Sequence, residues 1–210
     1  RLWEHRPTAE QKVRVETDRD LLRQTAASRR FGEVRLFRYA EQFSETQQQQ
    51  FSATAFLLDS DTVYVAFRGT DNTLTGWRED FNLSFLPYVP SQAAAAAYLR
   101  GILSLGFSNV YVGGHSKGGN LAVYAAVQMQ PEDFPRIRAV YNNDGPGFVT
   151  DLFAEPQFQQ LQERVYTFVP QASVKTSVHR VLHAPMSVHP ENKLHMAVLP
   201  DRLQKVRLKI

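Results

Sequence analysis

A turn of the form G-x-S-x-G at residues 114–118 constrains this chain more than any other feature of its sequence. The apolar run before the turn predicts a buried strand, and the apolar run after it predicts a helix. A turn between such a strand and helix is so sharp that Ser116 must adopt strained backbone angles, with Gly114 and Gly118 providing room. Ser116 is therefore a candidate nucleophile. The backbone N–H of Lys117, at the start of the helix, is a candidate oxyanion donor.

A second candidate feature lies upstream, where an apolar strand at residues 63–67 ends in the turn Arg68-Gly69-Thr70-Asp71. The loop after an earlier strand commonly supplies the second oxyanion donor beside such a serine. Thr70 is the candidate for this role, through its backbone N–H and its hydroxyl. The alternative is an ordinary polar turn in which Arg68 pairs with a carboxylate. The sequence leaves both interpretations open.

Four motifs together resemble known proteins. They are QFSA at residues 50–53, FRGTDNTLTGWREDF at 67–81, GGHSKGGNLA at 113–122 and YNNDGPGF at 141–148. The second and third resemble the class 3 lipases, a branch of the α/β-hydrolases. The whole set resembles a bacterial family of lipase-like proteins without an assigned function. The resemblance implies an α/β-hydrolase fold and a Ser or Thr in the oxyanion hole, at the position of Thr70 here.

The same resemblance implies that residues 71–90 form a mobile lid or cap. This segment is rich in apolar residues and lies next to the proposed oxyanion loop. Trp77 is predicted to belong to the lid and to contact substrate. His115, in the turn, is also predicted to contact substrate. Phe81 and Phe85 are predicted to be core residues. Glu79 and Asp80 are predicted to pair with Arg68 or Arg78. The side chain of Lys117 is expected to point to solvent, the alternative being contact with an anionic substrate.

A serine nucleophile needs a histidine base and an acid that orients it. His195 is the candidate base, because the segment 187–195 resembles the closing segment of the related family; His189 is the reserve. The family's acid would fall in residues 165–174, where no carboxylate occurs. Asp144 is the candidate acid, because it closes a predicted strand at the edge of the sheet that carries the turn. Its alternative is a structural role, since Asn-Asp-Gly-Pro is typical turn chemistry.

Strand and helix patterns alternate along the chain. Strands are predicted at 34–39, 51–58 and 62–68 and near residues 110, 137 and 164, and Ser91 is predicted to cap a helix that ends near residue 103. The alternation predicts an α/β fold with a mostly parallel central sheet and helices on both faces. With 210 residues, 43% of them hydrophobic, the chain predicts one domain over residues 1–210.

Composition excludes several classes of function. A net charge of +3 without any nucleic-acid motif argues against a nucleic-acid partner, and zero cysteines exclude disulfides and thiolate metal sites. No apolar run is long enough for an integral membrane segment. We expect no metal and no organic cofactor. A cytoplasmic, bacterial location fits these features, and a homodimer is compatible with them.

The predicted function is that of a serine hydrolase that cleaves a carboxylic ester of a lipid or an acylated small molecule. Two alternatives stay open. One is a non-catalytic protein that uses the same fold to bind a ligand or a partner. The other is an acyltransferase, which would form the same acyl-enzyme and differ in the nucleophile that accepts the acyl group.

Overall fold

The computed structural model describes residues 17–170, 195–198 and 203–207. The chain divides into two compact units, Arg1–Arg35 and Leu36–Ile210. The turn at Ser116, the predicted oxyanion loop and the predicted lid all belong to the second unit. The prediction of a single domain stays a prediction.

Five α-helices and eight strands lie in the described residues. The helices are α1 (Thr17–Ala27), α2 (Leu74–Asn82), α3 (Pro90–Leu103), α4 (Lys117–Val127) and α5 (Pro156–Leu161). The strands are β1 (Arg35–Ser44), β2 (Gln49–Leu57), β3 (Thr62–Phe67), β4 (Asn109–His115), β5 (Ile137–Asn143), β6 (Val165–Pro170), β7 (His195–Val198) and β8 (Leu203–Arg207). The strands predicted between residues 34 and 168 are therefore present, although β1 extends to Ser44.

The strands form one sheet in the order β1-β2-β3-β4-β5-β6-β8-β7. The four central strands, β3 to β6, run parallel. Antiparallel pairs flank them: β2 with β3 forms the predicted hairpin, and β8 pairs with both β6 and β7. A parallel centre with packed helices makes this an α/β fold. Its carboxyl edge brings the ends of β3, β4 and β5 together.

The core lies against one face of the central strands. Alternate residues of β3 and β4 are fully buried there, including Val65 and Val112, in one cluster with Leu99 of α3 and Leu121 of α4. The opposite face carries half-buried tyrosines whose rings stack across the strands. The prediction that helices cover both faces stays a prediction, since α3 and α4 both join the cluster on the valine side.

Tyr98 of α3 gives the fold a dependence on alkaline pH. Its ring packs on Phe51 and Phe67, its hydroxyl donates to the Arg38 carbonyl at 3.1 Å, and burial raises its pKa to about 12. In the unfolded chain the phenol ionises near its usual value of about 10. Folding therefore favours the protonated form, and this contribution to stability is present below about pH 10 and lost as pH rises toward about 12.

We expect the urea midpoint of the wild type to fall more steeply between about pH 10 and 12 than that of Tyr98→Phe, which has no phenol to titrate. The comparison uses the slopes of urea midpoint against pH. Loss of the Tyr98 hydrogen bond lowers the midpoint of Tyr98→Phe at every pH, so it does not change the slope. Two curves with the same slope would contradict the assignment.

Candidate active site

Ser116 sits in the strained turn that the sequence predicts. Strand β4 ends at His115, helix α4 begins at Lys117, and Ser116 between them has φ 57° and ψ −130°. Residues other than glycine seldom adopt such angles, because the side chain crowds the backbone. Holding them costs about 1 to 3 kcal/mol, so the surrounding structure must enforce the turn.

Three contacts enforce it. The N–H of Ser116 donates to the Asn143 carbonyl at the end of β5 at 2.9 Å, and the Ser116 carbonyl accepts from the N–H of Gly119 at 2.8 Å. The helix also lies directly on β3, where a Cβ at Gly118 would be 2.9 Å from the Phe67 carbonyl carbon. Glycine at this position is therefore a steric requirement, as predicted.

The loop after β3 approaches the turn. A Cβ at Gly69 would lie 2.7 Å from the His115 carbonyl oxygen and 3.5 Å from Cβ of Ser116. The next residue, Thr70, is buried, and its Oγ1 has no hydrogen-bond partner in the part of the chain that the structure describes. Arg68 and Asp71 also form the expected ion pair of a polar turn, at 3.2 Å. The two interpretations of this loop are thus compatible with each other.

Lys117 is buried, and the expectation that its side chain points to solvent is wrong. Its side chain is 0% exposed, and Nζ donates to Glu79 Oε2 at 2.7 Å, to the Gln50 carbonyl at 2.5 Å and to Gln50 Oε1 at 3.0 Å. These three acceptors replace the water that a lysine ordinarily needs. Burial lowers the pKa of the Lys117 ammonium, and the charge of Glu79 opposes that shift.

Glu79 of α2 is the counter-charge, so its predicted pairing with Arg68 or Arg78 is also wrong. Its carboxylate is 0% exposed and accepts from donors on three other elements. Oε2 accepts from the Gln50 N–H at 2.9 Å and the Ser91 hydroxyl at 2.8 Å, in addition to Lys117, and Oε1 accepts from the Ser91 N–H at 2.9 Å. Ser91 therefore does not cap α3, whose N-cap is Val89.

A sequence signal for this pair exists. Lys117 follows Ser116 at the start of a helix that is otherwise largely apolar, and such a helix packs on the core along most of its surface. A lysine on it needs a buried acid, since charged residues are almost never fully buried without a partner. Glu79 and Asp80 of the GWREDF motif are candidates for that buried partner.

Asp144 lies at the carboxyl edge, one residue beyond the end of β5, which neighbours β4 in the sheet. Its φ is 54°, and its N–H donates to the Phe168 carbonyl at 2.8 Å. Asp144, His115, Asn143, Phe168 and Pro170 line an open cavity of about 400 Å³. Two predicted site residues, Asp144 and His115, therefore share one cavity, and His115 directly precedes Ser116 in the chain.

His195 is the first residue of β7, where it pairs with Arg207 of β8. Three strands, β5, β6 and β8, stand between β4 and β7 in the sheet. The described backbone therefore does not bring His195 beside Ser116, and its role as base stays a prediction. His189 lies outside the described residues.

The predicted lid contains α2 and the turn that follows it, and both expose large apolar residues. Trp77, Phe81 and Phe85 are 56%, 67% and 55% exposed, so the prediction that the two phenylalanines are core residues is wrong. The buried side of α2 carries Glu79 instead, and the ion pair fixes which side of the helix faces inward. Trp77 lines a second open cavity of about 440 Å³, with Gln48, Arg78, Phe81 and Asn82.

Two other kinds of site are absent from the described residues. Among these residues, no group of three His, Cys, Asp or Glu side chains is arranged to hold a metal ion. Within the same part of the chain, no helix has the length and apolar character that crossing a bilayer requires.

Comparisons with known proteins agree on a lipase-like fold. The model of a family described as Mbeg1-like matches residues 25–193. A fungal lipase–inhibitor complex, from a study of interfacial activation in lipases, superimposes with a TM-score of 0.53 at 14% identity, over 85% of this chain and 73% of that one. The Rhizomucor miehei lipase propeptide complex gives 0.43 at 19% identity, over 61% and 46%, which is too low to establish a shared fold. Curated proteins give no match.

Proposed function

The chain belongs to the Mbeg1-like family, and from this membership and the geometry at Ser116 we propose that it is a serine hydrolase that cleaves a carboxylic ester. The observation that carries the proposal is the strained serine at φ 57° and ψ −130° between β4 and α4. Such strain persists only where the structure over-determines it, and it clusters at reactive sites. Its position at the carboxyl edge of a parallel sheet is where ligands bind in open α/β folds.

In the proposed reaction, Ser116 Oγ attacks the ester carbonyl carbon and gives its proton to a histidine. The backbone N–H groups of Lys117 and Thr70, together with the hydroxyl of Thr70, stabilise the oxyanion. The alcohol then leaves with the proton from the histidine, and water hydrolyses the acyl-enzyme by the same steps. Asp144 is the proposed acid that orients the histidine, and His195 is the proposed base, with His189 in reserve.

We propose an ester of a lipid or of an acylated small molecule as the substrate. The fold shared with a fungal lipase supports this class of substrate. The cavity that His115 and Asp144 line is also lined by Phe168 and Pro170, so it offers apolar surface next to polar groups. His115 is proposed to contact substrate there, and Trp77 to contact it from α2.

A fluorophosphonate probe tests the proposal, because it phosphonylates a serine only where the nucleophile is activated. We expect the wild type to be labelled at Ser116, located by mass spectrometry, and Ser116→Ala to stay unlabelled. His195→Ala and His189→Ala, tested in parallel, identify the base as the variant whose labelling falls about 100-fold or more.

The rival proposal is a binding protein that has kept the turn as architecture. The observation that favours it is the position of His195 on β7, which three strands separate from β4. An intact wild type that the probe does not label at Ser116 would support the binding protein and contradict the hydrolase.

Thr70→Val should separate catalysis from stability. The buried Oγ1 of Thr70 has no partner in the described residues, so its removal costs no protein hydrogen bond and we expect the urea midpoint to stay the same or rise. Loss of an oxyanion donor should slow labelling of Ser116 by about 100-fold. Thr70→Ser keeps the hydroxyl and should react at nearly the wild-type rate. Equal rates for the valine and serine variants would remove the hydroxyl from the oxyanion hole.

A further inference from the structure

The buried ion pair of Lys117 and Glu79 has no part in the chemistry proposed above. Both side chains are 0% exposed, and Nζ of Lys117 lies 2.7 Å from Glu79 Oε2. Four hydrogen bonds converge on the Glu79 carboxylate, and three leave the Lys117 ammonium. The two residues therefore form one hydrogen-bonded network that joins α2, β2, α3 and the start of α4.

Stability alone is a poor explanation of this network. Removing two charges from water is costly, and buried ion pairs often contribute no more to stability than apolar residues of the same volume. An ion pair with this many hydrogen bonds fixes the positions of the two side chains, because all of its hydrogen bonds are made in only one arrangement. A role in placing a group is therefore the more informative interpretation.

The group that this network places is the residue next to the nucleophile. Lys117 directly follows Ser116, and its backbone N–H is one of the first in α4, which have no acceptor inside the helix. Its side chain is anchored at the far end to Gln50 in β2 and to Glu79 in α2. The strained turn is thus held from both sides: Asn143 binds the N–H of Ser116, and the ammonium holds Lys117.

We propose that Glu79 is a positioning residue, which acts through Lys117 to keep the backbone N–H of Lys117 directed at the oxyanion formed on Ser116. This inference rests on the proposed hydrolase activity. It also gives a second role to α2, the helix at the centre of the predicted lid. Because α2 is anchored at Glu79, it is a fixed support of the oxyanion hole, and its exposed side is free to contact other molecules.

Glu79→Gln tests the role with little change in volume. All four partners of the carboxylate are donor groups, so the amide NH₂ of glutamine must face at least one of them. The measurement is the rate of Ser116 labelling against fluorophosphonate concentration, which separates the affinity for the probe from the rate of the covalent step. We expect the covalent step to slow about 10- to 100-fold, part of the effect of losing an oxyanion donor. Probe affinity should change less than about threefold.

Lys117→Met removes the ammonium and keeps the backbone N–H. If the pair acts as one unit, this variant should slow the covalent step as Glu79→Gln does, and the double variant should be no slower than the slower single variant. Leu99→Ala is the control for stability, because it empties space in the core without touching the network. We expect it to lower the urea midpoint and to leave the labelling rate unchanged.

The outcomes separate the two proposals. A wild type labelled at Ser116 together with a folded Glu79→Gln that reacts within threefold of it would overturn the positioning role and leave the hydrolase intact. A wild type that is not labelled would overturn both. If Glu79→Gln does not fold, the Glu79→Gln/Lys117→Met double variant replaces it, since that variant buries no unpaired charge. Wild-type reactivity of the double variant would then overturn the positioning role.

Discussion

Ser116→Gly is expected to abolish ester hydrolysis and probe labelling while making the protein more stable than Ser116→Ala. Both substitutions remove the proposed nucleophile, so turnover by the proposed hydrolase should fall about 10⁶-fold or to the uncatalysed rate in either case. They differ in the backbone. Ser116 has φ 57° and ψ −130°, which alanine must also adopt and which glycine reaches without steric cost.

The backbone strain at residue 116 determines which of the two variants is more stable. Relief of the strain stabilises the glycine variant by about 1 to 3 kcal/mol. The greater freedom of glycine in the unfolded chain destabilises it by about 0.4 to 1 kcal/mol. We therefore expect the free energy of unfolding of Ser116→Gly to exceed that of Ser116→Ala by about 1 kcal/mol, measured by urea denaturation.

Leu121, in the regular part of α4, provides the matched comparison. Leu121→Gly should be less stable than Leu121→Ala, by about 1 kcal/mol, because glycine is a poor helix residue where no strain is relieved. The same order at both positions, with alanine above glycine, would show that the turn at Ser116 stores no strain.

Glu79→Ala is expected to destabilise the protein by about 3 to 5 kcal/mol, since it leaves the Lys117 ammonium buried without its counter-charge. This is a large part of the roughly 5 to 15 kcal/mol that holds a typical domain together. The variant should melt well below the wild type, and differential scanning calorimetry with urea titration at pH 7 provides the measurement.

A second substitution distinguishes the charge from the cavity. Adding Lys117→Met removes the unpaired charge, so Glu79→Ala/Lys117→Met should recover more than half of the lost stability. The ion pair of Asp133 and Arg136, 3.0 Å apart and partly exposed, serves as the control. Asp133→Asn should cost about 1 kcal/mol or less. A double variant that is less stable than Glu79→Ala would contradict the account.

The sequence predicts the turn at Ser116 and the strands around it because these depend on local features. Apolar periodicity marked β3 and β4, and small residues marked the turn between β4 and α4. The ladder from β2 to β5 follows from the order of the elements along the chain. For this part of the molecule, residues that are close in sequence are enough to predict the secondary structure and the order of the strands.

The network at Lys117 was missed because it depends on a pairing between residues that are 38 positions apart. A lysine has solvent as its ordinary environment. The apolar character of the rest of α4 is a local sign against that assignment here, but it does not identify the distant acid that pairs with Lys117. The same distant pairing explains the exposure of Phe81. Once Glu79 turns its side of α2 inward, the apolar residues on the rest of that helix are left exposed, although Phe81 was predicted to be a core residue. Phe85 lies in the turn after α2, so the orientation of the helix does not account for its exposure.

The ion pair also limits how this chain can evolve. A mutation that removes the charge of Lys117 or of Glu79 alone leaves the other charge buried without a partner, whereas removal of both charges does not. The two positions should therefore be inherited as a unit, with lineages keeping both charges or losing both. Intermediates that carry one charge should be rare, even though the codons lie far apart in the gene.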